Sequence, residues 1–532
     1  METHRLRRRR SRRRARKKQI VVLVICALGV GVFVWSRILI ERHNDASMFN
    51  ATGTASSAAA IVANAVRGPV KGVPPSASKN LILFIGNGYG IVPMTATRIY
   101  ANGEGGELAI DRLPETALVR TASRNAQSAD SAAAMTAYMT GVRVDNEVLS
   151  QTADTRPYDD DGHPQSTHGE TTCPTVGNGK RVPTLLELAK ASGRATGIVT
   201  TARVTQAITA ASYAHLCQRD GENAIAAQLV PGGPGANSRL GEGVDVILGG
   251  GWQNFLPKDD PRGSMRADTR DLFAELRAKG YAVIGRQNEL AALTQPGAQP
   301  VGKLLGLFNR SQMGFDIDRS TTTEPSLAEM TGRAIDLLQH NTTGYLLIVE
   351  GGRIGDALDA SLARKALHDG RAFDDAITVA LEKLRALDPD LRNSTLVVTA
   401  NHDHTLVMNG DAALVERTVD ARPGVLGVLR GYAEPTQPAV DASGRPFTTL
   451  VFATGEKRVK GPRSAAPALS DLVLGDKNSR YESAIELRAV DLRESSGGAD
   501  VLLAAIGANA TRFHGTIDNT QVFTLMREAM GL

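Results

Sequence analysis

"LILFIGNGYG", Leu81 to Gly90, is an apolar run that ends in a glycine-rich turn with Asn87 between two glycines. That layout places Asn87 at the mouth of a strand. The pattern recurs along the chain. "TGIVTTA", "VDVILGGG", "GYLLIVEGG" and "STLVVTANHDH" are β-like runs that end in glycine or polar residues. Helix-like segments lie between them: "MTATRIYA", "VPTLLELAKAS", "SLAEMTGRAIDLLQHN" and "AFDDAITVALEKLRAL". The alternation predicts an α/β fold with a central, mostly parallel sheet flanked by helices. Ligands in such folds bind beyond the carboxyl ends of the strands. A dinucleotide-binding reading of "GNGYG" fails, because the third glycine of G-x-G-x-x-G is absent.

The bulk composition bounds the rest. At 532 residues the chain has room for a large core and one or two domains. Aromatics make up 4%, which argues against a surface that binds nucleic acid by stacking bases. The net charge of +5 is misleading: residues 1–42 hold 13 of the 61 Lys and Arg and 2 of the 56 Asp and Glu. The remainder is mildly acidic, so no nucleic-acid partner is expected.

The basic block 1–19 precedes an apolar run. Its length is near the lower limit for a spanning helix, roughly 17–25 residues. The expectation is a basic cytoplasmic arm (1–19), a transmembrane signal anchor (20–40), a small-residue stalk (41–78) and a globular domain (79–532). The positive-inside rule then makes it a single-pass membrane protein with the domain outside the cytoplasm. Cys173 and Cys217 could pair in an oxidising compartment, and spacing alone leaves that open.

Polar clusters stand at or beside the strand ends. Ser131 follows Asp130 at the start of an Ala-rich, helix-prone segment, where unpaired N–H groups suit an anion; a plain N-cap pair is the alternative. His402 and His404 are two apart and would point to one side of an extended strand, toward one metal. Glu350 is a carboxylate at a strand end beside two glycines.

In order along the chain, "NLILFIGNGYG", "DSAAAMTAYMTGVR", "GIVTTARVTQAITAASYAH", "VDVILGGG", "KLLGLF", "VEGGRI", "FDDAI", "TLVVTANHDH" and "FTLMREAMGL" resemble the alkaline phosphatases over about residues 80–532. The resemblance implies an alkaline-phosphatase-like fold, phosphomonoester hydrolysis through a phosphoserine, two Zn ions, one Mg ion and a homodimer. It casts Ser131 as nucleophile and Arg219 as phosphate clamp. Glu350 corresponds to the Mg carboxylate, His402 to an imidazole of the second Zn site, and Asp130 and His404 also match.

The other metal positions depart from the family pattern. Asn87 and Asn401 stand where Asp is expected, Gln206 and Ile208 where the Mg site expects a carboxylate or His and a hydroxyl. Gly355 and Asp359 replace an Asp and a His of the first Zn, and Ser496 replaces its last His. Asn is a neutral, weaker ligand than Asp, and clustered carboxylates without metal repel one another. The expectation is therefore weak or absent Zn and Mg, with phosphate or a phosphomonoester as ligand and catalysis impaired or lost. The alternative is an active phosphomonoesterase with a reworked site in which Asp356, Asp359, His402 and His404 hold one metal. A related phosphodiesterase or sulfatase is a third reading, disfavoured by the segments around Ser131 and Glu350.

Overall fold

A computed structural model describes residues 77–293, 295, 301–410, 424–431, 437–442, 444–455, 477–481, 483–486 and 496–532. The strands in chain order are β1 (Asn80–Gly86), β2 (Glu115–Arg120), β3 (Ser166–Thr167), β4 (Glu170–Thr171), β5 (Ala195–Arg203), β6 (Val246–Gly250), β7 (Tyr281–Ile284) and β8 (Lys303–Leu307), then β9 (Tyr345–Gly351), β10 (Ser394–Ala400), β11 (Leu406–Met408), β12 (Leu450–Gly455), β13 (Ser483–Glu486), β14 (Val501–Gly507) and β15 (Gly515–Asp518). Ten form one sheet in the order β15-β2-β14-β10-β1-β9-β5-β6-β8-β7. All neighbours run parallel except β14, which is antiparallel to both β10 and β2. The predicted mostly parallel α/β sheet is present.

Burial explains the sequence patterns. Leu81 to Ile85 are fully buried, and every residue of β9 and β10 is buried. A strand covered by helices on both faces needs a continuous apolar run. Toward the edge, β2 alternates exposed and buried positions over "ETALVR", because one face meets solvent. On one face the long helix Ala363–Leu387 sets the Phe373 ring 5.7 Å from both Phe84 and Tyr89.

Register builds the site. Ile85 pairs with Glu350, and Gly86 pairs with both Gly351 and Ala400; Thr200 pairs with Glu350 from the other side. Strands β5, β9, β1 and β10 therefore end level. Because β14 runs the other way, its entry also lies at this end, where Gly497 bridges to Asp403.

Cys173 and Cys217 are joined in a disulfide. The bond ties the segment after the β3–β4 hairpin to the strand-end loop two residues before Arg219.

The expected membrane localisation is corrected. Among the described residues no helix is long and apolar enough to cross a membrane. The anchor expected at 20–40, with its arm 1–19 and most of the stalk, lies outside the described residues. The single-pass, extracytoplasmic assignment is not retained.

Candidate functional site

Ser131 is the first residue of the helix Ser131–Thr140, all of which is buried. Asp130 is its N-cap: Oδ1 accepts from the Ala133 amide at 2.9 Å. The cap therefore exists, and it holds Ser131 at the positive end of the helix dipole. The other carboxylate oxygen, Oδ2, accepts from the Glu147 amide at 3.1 Å and from Arg219 Nη1 at 3.1 Å. Burial alone would lower the Arg219 pKa, but Asp130, Glu147 and Asp220 raise it above its ordinary value. Arg219 is a fixed cation beside Ser131's helix.

On the other side of Ser131 the hydrogen-bond directions can be read one by one. The Gly88 amide donates to Asn401 Oδ1 at 3.0 Å, which fixes the carboxamide and leaves Nδ2 as the donor. Asn401 Nδ2 donates to Asn87 Oδ1 and to Ser131 Oγ, both at 3.0 Å. Gly88 adopts φ +61°, a left-handed turn that glycine makes without steric cost. His402 Nδ1 lies 2.8 Å from the Asp403 carbonyl oxygen. That oxygen only accepts, so Nδ1 carries the hydrogen and Nε2 the lone pair. Burial lowers the His402 pKa and favours the neutral ring. Ser131 Oγ stands 3.3 Å from that Nε2. Having accepted from Asn401, the hydroxyl has its own hydrogen left for His402.

The remaining predicted positions gather at the same end but behave differently. Gly355 lies in the helix Gly352–Asp359, and a Cβ there would stand 2.2 Å from Asn87 Nδ2. The Asn87 carboxamide thus occupies the space a 355 side chain would need. Asp356 is held by Arg353 Nη1 at 2.5 Å, with burial raising its pKa. Asp359 is half exposed and 3.4 Å from His404 Nε2. His402 and His404 follow β10 rather than lying on it. His402 turns to Ser131 and His404 to Asp359.

Glu350 is fully buried. Oε2 accepts from Thr200 Oγ1 at 2.8 Å, and Oε1 has no hydrogen-bond partner among the described residues. Burial outweighs the Thr200 bond and pushes the carboxyl up to about 8. Gln206 Oε1 accepts from Gln312 Nε2 at 2.9 Å, and Ile208 is buried in the core. Ser496 is half-buried beside Gly497, whose amide donates to the Asp403 carbonyl at 2.8 Å. The atoms with ligand chemistry at this end are therefore Glu350 Oε1, His402 Nε2, Ser131 Oγ, and the Asp359 and His404 side chains.

Three contributors escaped the sequence reading. Thr200 donates to Glu350 from the end of β5. Arg203 binds Glu222 through Nε at 2.8 Å and Nη2 at 2.7 Å. Arg353 stacks on Phe315 with its guanidinium carbon 3.7 Å from the ring centroid. Thr200 was visible as a polar residue ending a β-like run; the two arginine partnerships carried no local signal.

Comparison with known proteins gives one consistent result. A family model described as alkaline phosphatase matches residues 78–532. The tissue-nonspecific alkaline phosphatase isozyme of Gallus gallus is 33% identical over 481 residues, spanning 84% of this chain and 83% of that protein. Among solved structures, the Thermus thermophilus alkaline phosphatase aligns with a TM-score of 0.58 at 25% identity, covering 86% of this chain and 92% of its own. The alkaline phosphatase of the Antarctic bacterium TAB5 aligns with the same TM-score at 18% identity, covering 86% of this chain and 99% of its own. That last likeness is one of fold.

Proposed function

The chain belongs to the alkaline phosphatase family, and from that premise we propose that it binds phosphate or a phosphomonoester while its Zn- and Mg-dependent hydrolysis is impaired. The orientation of Asn401 carries this reading. A dication at the second Zn position needs acceptor atoms from residues 87, 401 and 402 and from Ser131. Here Asn401 turns an N–H toward each of Asn87 Oδ1 and Ser131 Oγ, and Gly88 holds it that way. Asn401 thus presents donors where a metal requires a lone pair, and its N–H groups occupy the acceptors on Asn87 and Ser131 that the metal would use. Zn does not fit these residues as they stand. Asn87, Asn401 and Gly355 also supply no charge to balance a dication.

Anion binding needs less. The N-terminus of the helix Ser131–Thr140 and the Arg219 guanidinium are in place, and a helix N-terminus with an Arg fork is a sufficient cradle for phosphate. The rival reading, a reworked site on Asp356, Asp359, His402 and His404, finds less support. Asp356 is committed to Arg353. Among the described residues the one group of ligand atoms lying mutually within 4.8 Å is Asp159, Asp161 and His163, all exposed.

The test uses the full chain loaded with Zn and Mg. Bound metal is measured by plasma mass spectrometry, and aryl phosphate hydrolysis is compared with Ser131→Ala. Substoichiometric metal and no Ser131-dependent turnover are expected, with calorimetric phosphate binding that Arg219→Ala abolishes. Stoichiometric metal with Ser131-dependent turnover at family rates overturns the proposal.

A further inference from the structure

The bond directions around Ser131 do more than exclude a metal. We propose that Ser131 and His402 form a metal-independent serine–histidine pair that transfers the acyl group of a carboxylic ester to water. This rests on the reading above, in that His402 Nε2 must hold a lone pair toward Ser131 rather than toward a metal.

A hydroxyl is a poor nucleophile unless a neighbouring base takes its proton. The requirements are a base within reach, a fixed tautomer and a donor for the developing oxyanion. The base is His402 Nε2, 3.3 Å from Oγ; such bonds are often long before substrate binds. The tautomer is set by the Asp403 carbonyl on Nδ1, in the place a carboxylate takes in serine hydrolase triads. The donor is the N-terminal end of the helix that Ser131 begins, while Asn401 Nδ2, 3.0 Å from Oγ, occupies a lone pair of the hydroxyl.

Asn at 401 is what makes the pair coherent. A carboxylate there would only accept, and would draw the Ser131 hydrogen away from His402. The carboxamide donates instead, so the hydrogen is directed at the base.

The reaction balances without a cofactor. Ser131 Oγ attacks the ester carbonyl carbon as its proton passes to His402 Nε2. The bond from that carbon to the leaving oxygen breaks, and the alcohol departs with the proton from His402. Water then gives a proton to Nε2 and attacks the acyl-serine. The acid leaves, and Ser131 recovers the proton. Short aryl esters suit the site best, since a phenolate leaves readily and needs no metal to take up its charge.

The experiment uses the full chain after chelation and dialysis, so it reports on this pair whether or not the isolated protein carried metal. A fluorophosphonate probe is added; Ser131 Oγ would bond to its phosphorus with loss of fluoride. Intact and peptide mass spectrometry locate the adduct, and hydrolysis of p-nitrophenyl acetate is followed in parallel. Labelling at Ser131 is expected in the chelated protein. His402→Gln should lower the labelling and esterase rates by about 100-fold or more, Asn401→Asp by about 100-fold because the Ser131 hydrogen then turns away from the base, and Ser131→Ala should abolish both. Added imidazole should restore part of the rate in His402→Ala, which a purely structural role for the ring would not allow. Absence of a Ser131 adduct in the wild-type chain overturns the proposal, as does labelling that His402→Gln leaves unchanged. Metal found in the isolated protein would instead count against the reading on phosphate turnover.

Discussion

The two sides of Ser131 differ in how they are held together. On one side stand charges: Asp130 caps the helix and pairs with Arg219, Arg203 pairs with Glu222, and the Cys173–Cys217 disulfide braces the loop that carries Arg219. On the other side stand amides: Asn401 donates to both Asn87 and Ser131, and Asn87 fills the space above Gly355. The charged side carries the groups that would hold an anion in the proposed function. The amide side is where a metal would sit, and it satisfies itself with neutral groups. A pocket that has no dication is more stable with donors and acceptors matched than with carboxylates facing one another.

Glu350 is the exception on the amide side, and it offers the strongest way to break the comparison. Its folded pKa of about 8 lies above an ordinary 4.5. The native state therefore keeps a proton that the unfolded chain has released. Its contribution is complete below about pH 4.5 and is lost as pH rises through about 8, up to about 5 kcal/mol. Chelated protein should lose stability from pH 5 to 9 in urea melts, and Glu350→Gln should remove that loss. A metal-loaded site would keep Glu350 charged and show no such fall.

The charged side is tested by its brace. The disulfide spans 44 residues, for which loop closure predicts about 4 kcal/mol. Urea denaturation of Cys173→Ser/Cys217→Ser should show a loss of that size, with weaker phosphate binding because the Arg219 loop is less constrained. Loss of stability with unchanged phosphate affinity would uncouple the brace from the clamp.

The smallest effect concerns the packing of Asn87 on Gly355. Gly355→Ala should destabilise by about 1–3 kcal/mol, the cost of overpacking a filled site. In the double variant with Asn87→Ala the cost should be less than the sum of the two single changes. Additive costs would mean that the carboxamide does not own that space. The same contact explains why restoring Asp at 355 alone should fail to recover metal.

Much of this was legible from local pattern. The buried runs of β1, β9 and β10 announced a parallel sheet, and Ser131, Glu350 and His402 were conspicuous as polar residues where such runs stop. Asn87, Asn401 and Gly355 could be placed by family resemblance. What the chain could not disclose was direction and clearance. Asn401 reads the same in sequence whichever way its carboxamide faces; only the Gly88 amide, 313 residues distant in the chain, decides it. The Asn87–Gly355 contact and the Arg203–Glu222 pair depend likewise on register between segments far apart. The antiparallel course of β14 was hidden too, since an apolar run has no polarity of its own, yet it brings Ser496 to this end. The pairing of Cys173 with Cys217 needed the fold to bring them together.

The Gly88 amide has one more consequence, which concerns ageing. An asparagine followed by glycine loses ammonia when the next backbone nitrogen attacks the side-chain carbonyl carbon and closes a cyclic imide, which water then opens to leave an acid in place of the amide. In the folded chain the Gly88 nitrogen donates to Asn401 and the Asn87 carboxamide is held by Asn401 and the Gly352 carbonyl, so the route is closed. Unfolding opens it. The native state thus preserves the neutrality of the pocket against the chain's own chemistry, and heat-stressed protein should carry a new negative charge at position 87 that undamaged folded protein lacks.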